Sequence, residues 1–474
     1  MNSRPKKKIV NQELYSYLQT LLGNDLQKFS SAADPPVSIR VNTLKTKVEK
    51  ILQQLVKWDV NFMPHPFNPA SIILENDFLP MSHTLDFFLG NINYQGVASQ
   101  LPVMALNPQP GETILDLAAS PGSKSTQIAA LMRNRGKLFL NDVSNRRMQP
   151  LLTNLNRNGV IHDAVFNLPG QRIGRLFPNR FDRVLLDAPC TNLGKLPGQL
   201  YSNARLSGKA AAGQADLQYY LLVSALKAVK VGGLVVYSTC SLSVEENEMV
   251  INRILERYPR SVSIEACPID ENRFQEGITK YHTTLLNPSL NKARRIYPFS
   301  YPFEGFFMAC LRKTSDPAAD KTVSVPAIPL YDSTNDDIAS ILENIKKMWG
   351  IDIELLRSYT YRLTTKKLWL LSPVWKSLPE TGFYKAGLPL ATPGKEGWKL
   401  TNAGAQFFAP HIRHHLLELG NQELQRLFEQ GELDWHGHAD GYYILTHDQK
   451  RLATVSLFNN KLKIRLPHRF RLFL

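Results

Sequence analysis

Short apolar strands alternating with helical stretches, from about residue 95 to residue 313, predict an α/β protein built on a parallel, doubly wound sheet covered on both faces. A strand–helix unit ahead of it predicts a small N-terminal α/β domain, and period-two segments near the end predict a C-terminal β-rich domain. A chain of 474 residues with 43% hydrophobic content can fill roughly two to four such domains.

In the N-terminal unit, VSIRVNTLK alternates like a strand, and Val48, Ile51, Leu52 and Leu55 then fall on one helical face. The central strands are read at TILDLAA, KLFLND, DAVFN, DRVLLDA, GLVVYST, VSIEAC and GFFMACL. Helices are expected after Pro121, after Ser144 and over Gln214–Lys230, the last with Leu217, Tyr220, Leu221 and Ala228 on one face. Pro150 is expected to kink or delay the second of these. A fourth helix is expected from Ser243, where S-V-E-E reads as a capping box before Val250, Ile251, Ile254 and Leu255. RKTSDPAADKTVSVPAIPLYDSTNDD reads as a linker, and SLPETGFYKAGLPLATPGKEGW as a second Pro/Gly-rich break. GYYILTH, RLATVSLF and KLKIRLP read as a three-stranded meander with Asn459-Asn460 at one turn. The resulting expectation is 1–90, N-terminal domain; 91–314, catalytic domain; 315–390, linker and small α+β region; 391–474, C-terminal β-rich domain.

A formal charge of +15 suits a polyanionic partner, RNA or DNA, or an anionic membrane surface. The tail KLKIRLPHRFRLFL carries five Lys/Arg and no acid, which fits either a nucleic-acid grip or a solvated edge guarded by lysines. The four cysteines show neither C-x-x-C pairing nor Cys/His ligand spacing, so no disulfide framework and no metal site are expected. The longest apolar stretch, YYLLVSALKAV, is too short to cross a bilayer and is broken by Lys227. With a basic start lacking an apolar run, a cytoplasmic location is expected.

LDLAASPGSKS follows the first central strand, and ligands of open α/β sheets sit at the carboxyl ends of strands. Ala118, Ala119 and Gly122 are small enough for close backbone approach, but neither a Walker A frame nor a dinucleotide fingerprint is present. Asp142, ending the second strand, stands where an acid can accept both ribose hydroxyls, although such residues also serve as helix caps. An adenosine ligand without phosphates fits, and S-adenosylmethionine is one. Cys267 and Cys310 lie in apolar strands and are expected in the core. Cys190 and Cys240 instead follow their strands into polar loops beside Asp187. Such a placement suits the methylation of a pyrimidine at C5, where a thiolate adds to C6 and makes C5 nucleophilic.

DAPC, STCS and the A-x-P-G-x-K loop together resemble the Sun/Fmu family of RNA (cytosine-C5)-methyltransferases. SIRVNTLK (38–45), YQGVASQLPVMAL (94–106), VEENE (244–248) and EGFFMACLRK (304–313) also resemble family blocks, so about 280 residues are covered. The tail with GWKLTNAG and KLKIRLP is similar to the PUA-like end of the bacterial RsmF-type ribosomal-RNA branch. The resemblance implies a Rossmann-like S-adenosylmethionine-dependent methyltransferase sheet between an N-terminal RNA-binding domain and a PUA-like RNA-binding domain. It implies Cys240 as the attacking thiol, Cys190 as the helper for product release, Asp187 on the cytosine edge and Lys124 near base and cofactor. It implies a cofactor resting on Ala118, Ala119, Ser120, Pro121, Gly122, Ser123 and Lys124, with Asp142 on the ribose, Arg147 bracing the loop, Asn167 on the adenine amino group and Asp187 nearby. The sequence departs from the family's AAPGGK at Ser120 and Ser123, from its usual Asp at Asn167, and from Ser-Gly-x-Gly at Thr191-Asn192-Leu193-Gly194. A structured RNA is the expected partner, small-subunit ribosomal RNA first and transfer RNA second, for a monomer without membrane contact. An amino-group methyltransferase would want an [ND]-P-P-[YF] loop, which is absent, and a catalytically idle RNA-binding scaffold would not need both cysteines.

Overall fold

A computed structural model describes residues 12–75, 80–195, 208–269, 274–300, 303–316, 323–466 and 472. Five parallel strands form its centre: β1 (Thr113–Asp116), β2 (Lys137–Asn141), β3 (Asp163–Phe166), β4 (Phe181–Asp187) and β5 (Val229–Thr239). Their spatial order is β5-β4-β1-β2-β3, so the sheet reverses direction beside β1, where an open α/β sheet has its ligand crevice. Side chains alternate along each strand, and both faces are buried. Leu115, Phe139, Val184, Leu186 and Tyr237 enter one core, and Ile114, Leu138, Leu140, Leu185 and Val236 enter the other. The covering helices are α1 (Val97–Leu106), α2 (Ser123–Leu131), α3 (Asn145–Asn158), α4 (Gly208–Ala228) and α5 (Glu248–Arg257).

The edges differ from the all-parallel expectation. β6 (Phe306–Lys313), which contains GFFMACL, runs antiparallel to β5, and Val262–Glu265 runs antiparallel to β6. α5 acts as a crossover that returns Val262–Glu265 in the direction of β5, and β6 fits between the two as an antiparallel strand. Cys267 falls two residues beyond its strand, yet it and Cys310 are both buried with their sulfurs 3.1 Å apart. The helix expected over Gln214–Lys230 ends at Ala228, with Lys230 already in β5. Tyr220 is exposed rather than inward, because Leu222, Ala225 and Leu226 supply the buried face. α3 starts directly after Ser144, so Pro150 does not delay it. The capping box is half formed. Glu246 N–H donates to Ser243 Oγ at 3.3 Å, but the Glu246 side chain is committed elsewhere and α5 starts only at Glu248.

The N-terminal module is a four-stranded sheet carrying the helix Val48–Lys57 on Ile51 and Leu55. Buried Arg40 ties it to α2, donating from Nη2 to Thr126 Oγ1 at 2.8 Å. The segment read as a second break is instead built of strands. Phe383–Ala386 adds an antiparallel edge to β3, and Leu388–Gly394, which spans position 391, joins the sheet of Thr360–Thr364 and Lys367–Leu371. Gly387, with φ +64° and the Leu370 carbonyl 2.3 Å from where a Cβ would stand, lets the chain pass between these two sheets. Part of the first linker is also structured: Ala327–Pro329 is a strand, and a helix begins at Asp336. The C-terminal meander is present within a five-stranded sheet, and Asn459 and Asn460 both take positive φ at its turn. Arg469 and Arg471 of the basic tail lie outside the described residues. No helix among the described residues is long and apolar enough to cross a membrane.

Candidate active site

A cavity of about 780 Å³ opens at the carboxyl ends of β1, β2, β4 and β5. After β1 the chain turns through Leu117–Gly122 into α2. Gly122 has φ +102°, and a Cβ there would stand 2.9 Å from Leu151 Cδ1, so the turn packs directly onto α3. Ala118, Ala119, Ser120, Pro121, Ser123 and Lys124 line the cavity, whereas Gly122 shapes the loop from behind. Asp142 accepts hydrogen bonds from Ser120 N at 3.2 Å and Ser144 N at 2.9 Å. Arg147 donates to the Ser120 carbonyl, lies 3.7 Å from Asp142, and accepts from Ser120 Oγ at its own carbonyl at 2.6 Å. Ser120, a departure from the family pattern, thereby gives the loop an added tie to α3. Asn167 follows β3 directly but does not line the cavity; its Nδ2 donates to the Asp142 carbonyl at 2.7 Å.

Asp187 and Ser238 face each other across β4 and β5, and Ser238 Oγ donates to Asp187 Oδ1 at 2.8 Å. Lys124 Nζ donates to Asp187 Oδ2 at 2.7 Å and to Ser99 Oγ at 2.9 Å, and lies over the Phe306 ring at 5.4 Å. Thus the two polar side chains expected near a base already meet. Cys190 and Cys240, fifty residues apart in sequence, bring their sulfurs to 3.1 Å. The hydrogen bond between them and burial push the Cys190 thiol well up. For Cys240 the same hydrogen bond, helped by the cations of Lys195 and Lys124, lowers the pKa. So Cys190 holds the proton and Cys240 is the better thiolate. Cys240 Sγ also lies 2.9 Å from Asn192 Oδ1, a bond the thiol donates; a flip of that amide offers Nδ2 to the thiolate.

Four further groups escaped the sequence reading. Asp116, at the end of β1, lines the cavity with Oδ1 buried and unpartnered, and burial pushes its pKa up to about 7. Ser99 and Lys195 also line the cavity, from α1 and from the loop after β4. Glu246 is fully buried and accepts from Thr191 N at 2.9 Å, Thr191 Oγ1, Ser241 Oγ at 2.6 Å and Gln218 Nε2 at 3.1 Å. Thr191 follows Cys190 and Ser241 follows Cys240, so one carboxylate clasps both cysteine loops. That accounts for Thr191. Leu193 is buried against Leu14 and Leu18, and Gly194 packs so close to Gly305 that a Cβ would meet its carbonyl at 2.0 Å. The capping-box pattern of S-V-E-E conceals Glu246, whose partner Thr191 lies fifty-five residues away and leaves no local signal.

The sheet and this cavity define a class: an α/β protein whose strand-end recess joins a phosphate-free nucleoside cradle to a thiol pair. Residues 103–312 match the 16S rRNA methyltransferase RsmB/F family, and residues 14–80 match the ferredoxin-like domain of RsmF/B-like methyltransferases. The chain is 32% identical over 424 residues to the ribosomal RNA small subunit methyltransferase F of Vibrio parahaemolyticus, covering 87% of this chain and 86% of that protein. This chain belongs to the RsmB/F family. It is also 36% identical over 355 residues to the 25S rRNA (cytosine-C(5))-methyltransferase nop2 of Schizosaccharomyces pombe, covering 72% of this chain and 56% of that protein. The chain spans about half the length of the eukaryotic relatives it matches. A solved methyltransferase homolog protein from Pyrococcus horikoshii is similar, with TM-score 0.56 and 32% identity, over 63% of this chain and 94% of that one.

Proposed function

We propose that this chain is an S-adenosylmethionine-dependent RNA (cytosine-5)-methyltransferase acting on ribosomal RNA, with 16S RNA as the target. The observation that carries the reading is the thiol pair, 3.1 Å apart, in the same cavity as the Ala118–Lys124 loop. The cavity fits the methyl donor: Asp142 is held for a ribose, small residues allow close approach, and the unpartnered Asp116 Oδ1 offers an acceptor. When bound, S-adenosylmethionine supplies an electrophilic methyl carbon. Asp187, oriented by Lys124 and Ser238, holds the amino edge of the cytosine. Cys240 adds to C6, and the electron pair displaced from the C5–C6 double bond makes C5 the nucleophile that takes the methyl group. A base from solvent takes the C5 proton, the C5–H electron pair re-forms the C5–C6 double bond, and the C6–S pair leaves with the Cys240 sulfur. Cys190, as the protonated partner, donates to the departing Cys240 sulfur and so assists release. The target base must leave its stack to reach such a recess. The N-terminal and PUA-like modules hold the RNA, in a protein that works as a cytoplasmic monomer.

The test is to incubate the protein with labelled S-adenosylmethionine and either 30S subunits or total transfer RNA, then assay 5-methylcytosine. Label in the 30S fraction is expected. Label in transfer RNA instead would move the substrate to the second reading, and label in neither would refute the activity.

A further inference from the structure

Two more cavities lie away from the thiol pair, about 660 Å³ and 890 Å³, and meet at Gln406. The first is walled by α3, the N-terminal module and both C-terminal sheets; the second by the loops after α2 and α3 and the segment around Phe407. Neither contains an Asp or Glu among its lining residues. The first presents Lys367, Lys399, Lys463 and Arg465, the second Arg133, Arg135, His411, Lys450 and Arg451. Lys463 is paired with Glu432 at 2.9 Å, outside the lining; the cation of Lys399 lies over the Tyr442 ring at 4.9 Å. Among the described residues no ion pair engages Lys367, Lys399, Arg133 or Arg135 within 4.0 Å. Half-buried rings stand between these charges, Phe87 in one cavity and Tyr359 and Phe407 in the other, while Tyr442 and Phe408 are buried beneath them. Two buried polar atoms in the first cavity, Asn156 Oδ1 and Thr454 Oγ1, have no partner.

We propose that these two cavities form one trough that grips the sugar–phosphate backbone of the RNA substrate beyond the nucleotide that reacts. The inference rests on the RNA reading above and adds where the RNA is held. Cations without nearby carboxylates attract phosphates, and half-buried rings stack bases. Reach also fits. Arg147 of α3 is at the catalytic cavity and Arg157 of the same helix is at the trough, about 15 Å apart at 1.5 Å per residue. An RNA with its base in the catalytic cavity therefore enters the trough only if it continues past a few nucleotides.

The experiment compares two charge reversals, Lys367→Glu with Lys399→Glu and Arg133→Glu with Arg135→Glu, against Lys346→Glu with Lys347→Glu on an exposed helix. Lys→Gln and Arg→Gln versions guard against misfolding, and retained S-adenosylmethionine binding shows the fold intact. The probes are deproteinised small-subunit ribosomal RNA and a three-nucleotide RNA with a central cytidine, with affinity measured against salt. Each trough pair should weaken binding of the long RNA about tenfold at 0.15 M salt and flatten the salt slope by about 0.7 per lost phosphate contact. The three-nucleotide RNA and the Lys346/Lys347 pair should change less than twofold. Equal losses for the control pair, or an unchanged slope for both trough pairs, would overturn the proposal. If the unmodified protein binds RNA through the trough yet labels neither RNA, the methyltransferase reading falls and the trough stands.

Discussion

Glu246→Gln is the substitution that separates the clasp from the thiols it positions. The change keeps the shape of a fully buried side chain but removes its charge and one of its acceptors. Four hydrogen bonds end on that carboxylate: two from Thr191, one from Ser241 and one from Gln218. A hydrogen bond to a charged group is worth about 1.5–3 kcal/mol and a neutral one about 1, so the set of four weakens by roughly 2–8 kcal/mol. Part of that is offset, because an amide is cheaper to bury than a carboxylate. Thr191 and Ser241 hydroxyls can turn to accept from the new amide, so the protein should fold with a modest fall in melting temperature. Catalysis is less forgiving, since a displacement of about 1 Å between reacting groups can cost about a hundredfold in rate. Single-turnover methyl transfer at saturating RNA and S-adenosylmethionine should fall about 30- to 100-fold, with cofactor affinity unchanged within twofold. Glu246 also raises the Cys190 pKa by its charge, so Cys190 alkylation should shift to lower pH in the variant. Thr191→Val combined with Glu246→Gln should cost less than the two separate losses added, because they break the same contact. Full transfer rate in Glu246→Gln, or a loss explained by weakened cofactor binding, would refute the clasp.

Cys240→Ala should abolish methyl transfer and form no protein–RNA adduct, whereas Cys190→Ala should accumulate an adduct stable in denaturing gels; swapped phenotypes would reverse the two roles. Iodoacetamide labelling followed by peptide mapping should show Cys240 modified at lower pH than an ordinary thiol and Cys190 only at higher pH, in keeping with their opposite shifts. Asp116, whose pKa moves from 3.8 to about 7 on burial, is neutral in folded and unfolded chains at low pH; above 3.8 the unfolded chain ionises first, so the folded state loses stability until pH reaches about 7. Asp116→Asn removes that loss, and its stability relative to the parent should rise by about 3 kcal/mol between pH 5 and pH 7.5 in urea titrations, at about 1.4 kcal/mol per pH unit; a pH-independent difference would place the proton elsewhere.

Much of the catalytic half was legible because each signal was local. Strands buried on both faces read as apolar runs, and the acid, proline and cysteine after them marked strand ends. The convergence of Asp187, Cys190 and Cys240 followed once those strands were taken as neighbours. What stayed hidden depended on contacts between distant segments. Glu246 sits in a tetrapeptide with a complete local explanation, yet its partners come from three separate elements. Phe383–Ala386 lies in a stretch dense with proline and glycine, and it becomes a strand only because the open edge of β3 offers it hydrogen bonds. The Nδ2 of Asn167 is taken by the Asp142 carbonyl, a tie no spacing predicts, while its Oδ1, the atom expected to accept from an adenine amino group, is not engaged by that bond.

Charge is divided between the two ends of α3. The catalytic cavity balances Asp116, Asp142 and Asp187 against Lys124, Arg147 and Lys195, and the trough holds cations without a carboxylate in its lining. With its charges offset, the recess offers a phosphate little attraction, whereas the unbalanced cations of the trough draw the backbone. The trough lies about 15 Å down the helix, far enough for the backbone to stay there while one base swings in. On this account added salt should raise KM for long RNA steeply while leaving single-turnover chemistry at saturating RNA almost flat. A steep salt dependence of the chemical step itself would mean that phosphates, and not only the base, enter the catalytic cavity.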